Sequence, residues 1–419
     1  MIYITKTPPL GGKAKSRYSD FIVEEIYEED GEEKKCEVNH FTINFDQRQF
    51  IDIKVPENTE KKEHLIIDLE KINTDTNTAT ALLSRGLSMS TKRIGYGGLK
   101  DKRGVTCQRI SIFDPDVRRV EKFGVKGLKV KKPRWGERIE LGDLVGNEFT
   151  IIIRGIDKSE EEIKKIVEDF FAEAENGLPN YFGSQRFGGK RNITHRVGKL
   201  LLFGKFKEAI MLYLTDTFEE EKKELKDARI NLARSGDFAK ALREFPRDVR
   251  PELAMLNHLV KKPADFAGAF GVLPKKTRYL FVHAYQSFIF NRILDKRIEL
   301  YGTKGLGKID GDVIENGVVM GLLPGYESSF AEGKAGEVEK EIMKENEIAF
   351  ENFKVSGMSE LSSQGSRKEI SIIPKRMKFI KTFDDEFNEG KKAVEISFFL
   401  TKGNYATTIL AELLKEEVF

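Results

Sequence analysis

Residues 179–188 read Pro-Asn-Tyr-Phe-Gly-Ser-Gln-Arg-Phe-Gly, and the character of the chain changes there. Just upstream, 158–176 carry the pattern of an amphipathic helix, with Ser159 as N-cap and Glu162 at the capping-box spacing. Gly177 supplies its stop and Pro179 prevents its continuation. Further upstream the pattern is mostly β. Strands are predicted over 20–28, 40–55, 64–70, 105–113 and 147–154. One helix interrupts them over 74–87, capped by Thr74 or Asp75, with Ala79, Leu82, Leu83 and Leu87 on one face. Downstream of the motif, 195–300 are helix-rich, and 284–300 are the most regular part. Residues 302–327 are glycine-rich with short strands, 332–350 form a charged helix, 394–400 a strand, and 402–417 a final helix. A β-rich start, a helical middle and a β-α finish predict an α+β domain interrupted by a large insertion.

Composition narrows the function classes. The 419 residues suit two or three lobes rather than one core. With 33% charged and 39% hydrophobic residues, the chain reads as globular rather than disordered. There is no apolar run of the roughly 18 residues needed to span a bilayer. The first residues lack the apolar stretch of a secretion signal, so a cytoplasmic protein with no membrane partner is expected. Two cysteines and five histidines show neither a disulfide framework nor metal-ligand spacing, and no metal is predicted. Net charge is only +3, from 71 basic and 68 acidic residues, so any nucleic-acid footprint must be local.

Four further stretches carry candidate chemistry. Tyr96-Gly97-Gly98-Leu99-Lys100-Asp101-Lys102-Arg103-Gly104 sets one carboxylate among three cations in a glycine-rich turn. Such neighbours hold an aspartate ionised, as a nucleophile or base requires, and the cations suit phosphates. The same residues also read as a solvated turn between two strands. The order of a phosphate-binding P-loop is absent. Gly146-Asn147-Glu148-Phe149 stands at a strand entry, where Asn147 suits a base edge, the orienting of a carboxylate, or a turn. In Lys402-Gly403-Asn404-Tyr405-Ala406-Thr407-Thr408, Tyr405 follows a strand end at the start of the last helix, where N–H groups suit a phosphate; the stretch also reads as an ordinary helix start with a buried tyrosine. Residues 122–138 are basic, with one tryptophan, and read as an RNA-backbone track or a solvated face. In the opening motif, aromatics interleaved with Arg186 suit unpaired bases or a packed corner.

Together these stretches resemble the TruD family of pseudouridine synthases. The order is Ser19-Asp20-Phe21-Ile22-Val23-Glu24-Glu25, Gly98-Leu99-Lys100-Asp101, Gly146-Asn147-Glu148-Phe149, Asn180 to Gly188, Ser287-Phe288-Ile289-Phe290-Asn291, and Gly403-Asn404-Tyr405-Ala406-Thr407. Each is weak alone, whereas six in order are specific. The resemblance implies a catalytic pseudouridine synthase domain over 1–181 and 376–419, with a TruD-specific α/β insertion over 182–375. It assigns the catalytic carboxylate to Asp101 and substrate contacts to Phe21, Asn147 and Tyr405. Where many bacterial members carry Phe, this chain has Tyr405, which keeps the aromatic face and adds a hydroxyl.

The reaction so implied breaks the N1–C1′ bond of a flipped-out uridine, rotates the base and makes a C5–C1′ bond. It is an isomerisation and needs no cofactor. Asp101 would act as nucleophile, or as the base that yields a glycal. Lys100, Lys102 and Arg103 are candidates for phosphate contacts or for holding Asp101 ionised, and Arg186 for RNA or interdomain contact. The implied partner is tRNA, with uridine at position 13 the favoured target; no obligate protein partner is evident. The competing readings are the same chemistry on another RNA, and a non-catalytic RNA-binding or chaperone protein that would not need Asp101. A methyltransferase would need a different glycine loop.

Overall fold

In the computed structural model, residues 1–39 and 53–418 are described. Most of the strand expected over 40–55 lies outside them, and 53–55 have no regular structure. The chain divides into two compact units. One comprises Thr5–Asn176 and Ile373–Lys415; the other contains Met1–Ile4, Gly177–Ile372 and the last residues of the chain.

Among the described residues, the first unit is built on a ten-stranded sheet. Its main strands are β1 (Phe21–Glu29), β2 (His64–Ile72), β3 (Val105–Phe113), β4 (Leu128–Gly136), β5 (Gly146–Ile156), β6 (Lys375–Asp384) and β7 (Lys392–Thr401). They lie in the order β6-β7-β5-β1-β3-β2-β4. β1 and β3 run parallel, and the other neighbours along this path are antiparallel. With its helices, this mixed sheet makes the fold α+β.

Helix α1 (Thr76–Gly86) covers one face. Asp75 caps it, accepting from the N–H of Thr78. Ala79 and Leu83 pack with Leu65, Ile67, Leu69 and Ile110 in one apolar cluster. Helix α2 (Glu160–Ala174) forms the predicted Ser159–Glu162 capping box and buries Ile163, Val167 and Phe170. At the centre of the sheet, Phe21, Phe149 and Phe398 sit on three adjacent strands with ring centroids 5.9 and 5.6 Å apart.

The opposite face is unusually charged. The carboxylate of Asp68 meets Arg134 at 3.1 Å, and that of Glu70 meets Lys131 at 2.5 Å; both acids are buried. Thus two cations of the basic stretch 122–138 neutralise buried carboxylates within the sheet. That stretch supplies strand β4, and its Lys122, Lys126, Lys132 and Arg138 stay exposed. Buried pairs of this kind need such partners because either charge alone would be very costly.

The second unit is helical around Lys275–Tyr301, a helix longer than the regular segment that predicted it. Its core joins Val197, Leu201, Ile210, Leu256, Phe270, Phe281, Tyr285 and Ile289. At Gly198 a Cβ would lie 2.1 Å from the carbonyl oxygen of Phe281, so only glycine permits this helix approach. A three-stranded antiparallel sheet, Val313–Glu315, Val318–Leu323 and Ser366–Glu369, completes the unit. The charged helix is shorter than expected, Gly333–Glu345.

The motif over 179–188 docks on the long helix. Phe182 donates its N–H to Asn291 Oδ1 at 3.0 Å, and Asn291 Nδ2 returns a bond to the Phe182 carbonyl at 2.9 Å. Tyr181 donates its hydroxyl to Asp295 at 2.7 Å. The Phe182 ring meets Phe290 edge-on at 5.5 Å. Tyr181 and Phe182 are buried, so these two rings are packing residues and not platforms for unpaired bases.

Candidate active site

The loop joining the short strand Ile94–Tyr96 to β3 carries Asp101. Three anchors fix its path. The N–H of Lys100 donates to Thr76 Oγ1 at 2.9 Å, and that oxygen donates in turn to Gln108 Oε1 at 2.9 Å. Gln108 Nε2 donates to the Gly98 carbonyl at 3.0 Å. Lys100 Nζ donates to Glu25 Oε2 at 2.7 Å, with both side chains buried. At the far end, Gly104 runs so close to β1 that a Cβ would stand 2.6 Å from the Phe21 carbonyl oxygen.

These anchors leave Asp101 pointing out, its side chain 53% exposed. Lys15 Nζ approaches Asp101 Oδ2 at 3.4 Å, from a side chain only 7% exposed. The same ammonium lies 4.0 Å from the centroid of the Phe21 ring. Lys71 reaches the loop from beneath, donating to the Thr74 carbonyl at 2.6 Å and the Asp101 carbonyl at 3.4 Å. Burial, then the charge of Lys100, pulls the pKa of the Lys71 ammonium down to about 7, against the opposing pull of Asp101 and Asp75.

The predicted residues are placed differently from one another. Asp101 and Phe21 come together through Lys15. Phe21 has no exposed surface, so its ring offers no open face to a base in this structure. Asn147 stands opposite Glu25 on β1 and Leu400 on β7, and directly opposed residues share a sheet face. Its Oδ1 is shielded from solvent and lacks a hydrogen-bond partner among the described residues. Tyr405, just beyond β7, is 53% exposed and occupies the N-cap of the helix Ala406–Leu414.

Of the three cations around Asp101 in sequence, Lys100 is committed to Glu25 and cannot serve a phosphate. Lys102 and Arg103 are exposed. They line a groove of about 880 Å³ with residues 16–19 and Asn73. Arg186 belongs to the second unit, where its Nε donates to Ser287 Oγ at 2.9 Å.

Sequence reasoning missed Lys15, Lys71 and Glu25. Lys15 had a faint signal, a basic run just ahead of the Phe21 motif. Lys71 had a better one: β2 reads His-Leu-Ile-Ile-Asp-Leu-Glu-Lys-Ile, and charges inside so apolar a strand must find buried partners. Among the described residues, no cluster of His, Cys, Asp and Glu could hold a metal ion, and no helix is long and apolar enough to cross a membrane.

A family model described as tRNA pseudouridine synthase D (TruD) matches residues 1–318 and 314–413. A probable tRNA pseudouridine synthase D of Methanosarcina acetivorans is 37% identical, covering 99% of this chain and 95% of its own length. One from Methanopyrus kandleri is 35% identical over 84% of this chain and 86% of its own. The crystal structure of the putative tRNA pseudouridine synthase D from Methanosarcina mazei is similar with a TM-score of 0.78 and 35% identity, covering 100% of this chain and 96% of that one.

Proposed function

The chain belongs to the tRNA pseudouridine synthase D (TruD) family, and from that membership we propose that it isomerises a uridine of tRNA, the one at position 13, with Asp101 as the catalytic carboxylate. As a member it is a pseudouridine synthase, an isomerase. The observation that carries the assignment to Asp101 is its setting. The loop backbone is clamped by buried bonds, while the carboxylate projects outward beside a sequestered ammonium at 3.4 Å. A reacting carboxylate needs both a fixed position and access to substrate.

In this reading the flipped uridine presents C1′ to Asp101. The carboxylate attacks C1′, or takes the C2′ proton to yield a glycal, and N1 leaves; the base turns and C5 bonds to C1′, displacing the carboxylate on the first route and with the proton returned to C2′ on the second. The C5 proton is lost and N1 ends protonated, so the reaction is balanced without oxidant or reductant. Asn147, half-buried as a residue, hydrogen-bonds the substrate or orients Asp101. The exposed ring of Tyr405 stacks on the base or a neighbour. Phe21 acts from below, holding Lys15 beside Asp101. Lys102 and Arg103 contact phosphates, and Arg186 serves the packing of its own unit.

The test is to incubate purified protein with unmodified tRNA transcripts and map pseudouridine by carbodiimide treatment and primer extension. A single new stop, one nucleotide 3′ of position 13, is expected, absent with Asp101→Asn although that variant still folds and binds. Turnover by Asp101→Asn would remove the catalytic assignment. Binding of tRNA by both proteins without any stop would remove tRNA as the substrate.

A further inference from the structure

We infer that Lys71 is a positioning residue for the reaction, holding the Asp101 loop in its working conformation through the carbonyls of Thr74 and Asp101. The inference rests on the reading of Asp101 as the catalytic carboxylate. Lys71 lies on β2 with 1% of its surface exposed. A lysine so placed must find acceptors, because an ammonium without them in the protein interior is very costly. Its ammonium donates to two carbonyls, at 2.6 Å to Thr74 and 3.4 Å to Asp101. Those carbonyls belong to two different segments. Thr74 leads into α1, and Asp101 sits in the loop before β3. One side chain therefore ties the start of the covering helix to the residue that reacts.

The other anchors do not duplicate this tie. Lys100 binds Glu25, and Thr76 binds the Lys100 amide; both act on the residue before Asp101. Lys15 meets the Asp101 side chain rather than its backbone. Among the described residues, Lys71 is the side chain that holds the Asp101 carbonyl.

The tie is sensitive to protonation. The groups bearing on Lys71 are Lys100, Asp101, Asp75 at the cap of α1, and Cys107 on β3. Burial and Lys100 bring its pKa to about 7, while the other three favour the charged form. An ammonium presents three donors and a full charge to the carbonyl dipoles; the neutral amine has two donors and no charge. As pH rises through that value the hold on Asp101 weakens. Arginine keeps its charge throughout.

Single-turnover rates of tRNA modification, with enzyme saturating, should be measured from about pH 6 to about pH 8 for wild type, Lys71→Arg and Lys71→Met, with Asp101→Asn alongside. The wild-type rate should fall on the alkaline side. Lys71→Arg should lose that fall. Lys71→Met should be slower by about 10- to 100-fold, with tRNA affinity unchanged. Thermal unfolding of each variant reports whether it folds; if Lys71→Met does not, wild type against Lys71→Arg decides. An unchanged rate in Lys71→Met, a loss confined to tRNA affinity, or the same alkaline fall in Lys71→Arg would overturn the inference. Turnover by Asp101→Asn would instead bring down the reading of Asp101 itself.

Discussion

Asp101 lies between two lysines that are adjacent to it in sequence and differ completely in place. Lys100 is buried on Glu25, whereas Lys102 is exposed in the groove. Alternation of this kind follows from a loop whose backbone is bound at residue 100 while the side chain at 101 turns outward. Gly104 closes the loop, and its nearest neighbour is the backbone of Phe21, which cannot swing away as a side-chain end would. Gly104→Ala should therefore shift the loop or β1, lowering stability by about 1–3 kcal/mol. It should slow single-turnover modification by about tenfold or more. Chemical denaturation and quench-flow separate the two effects; an unchanged rate would show that the close approach has no bearing on Asp101.

Among the elements, α1 contributes to both the core and the site. Its apolar face covers the sheet, and its first residue, Thr76, holds the Lys100 amide. Burial works to raise the pKa of its cap, Asp75, but bonds from the N–H and hydroxyl of Thr78 outweigh it and hold the carboxyl below its usual range. The sign follows directly. A depressed carboxyl contributes stability above its unfolded pKa and loses it as pH falls through the folded value. Asp75→Ala should cost about 1 kcal/mol at neutral pH. The difference between variant and wild type should shrink in acid, as seen in Tm measured against pH; a difference constant with pH would show that the capping charge contributes nothing. On the sheet, Phe398 is buried on β7 and stacks on Phe149. Phe398→Ala should cost about 3–5 kcal/mol, read as a lower midpoint of chemical unfolding.

For the molecule as a whole, a net charge of +3 provides little general attraction to RNA. Cations in the sequence are spent in different ways: Lys131 and Arg134 on buried acids, Arg229 on Glu221 and Glu252, Lys100 on Glu25. Counting basic residues therefore overstates what an RNA meets. Lys102 and Arg103 are exposed in the groove beside Asp101. Replacing both with alanine should weaken tRNA binding and reduce the slope of log K against log salt by about 1 for each phosphate that is no longer neutralised. Filter binding at several salt concentrations measures this; an unchanged slope would place the phosphates elsewhere.

Local features were legible in the residues alone. The Ser159–Glu162 capping box, the Asp75 cap, strands β1, β3 and β5, and the β-helical-β order of the chain could all be read there, because caps and hydrophobic periods act over a few residues. Family membership was readable too, from six short motifs in order. The partners of charged side chains were not. Nothing local distinguishes Lys100 from Lys102, or says that Lys15 and Lys71 will meet at Asp101 from segments far away in the chain. Nor could the motif over 179–188 reveal that Tyr181 and Phe182 would be buried on a helix more than a hundred residues later. Burial sets the cost of leaving a charge or a polar group unpaired, and burial exists only once distant strands and helices have packed. Which side chains hold the site together, and which face the solvent, is therefore settled by that packing and by nothing shorter in range.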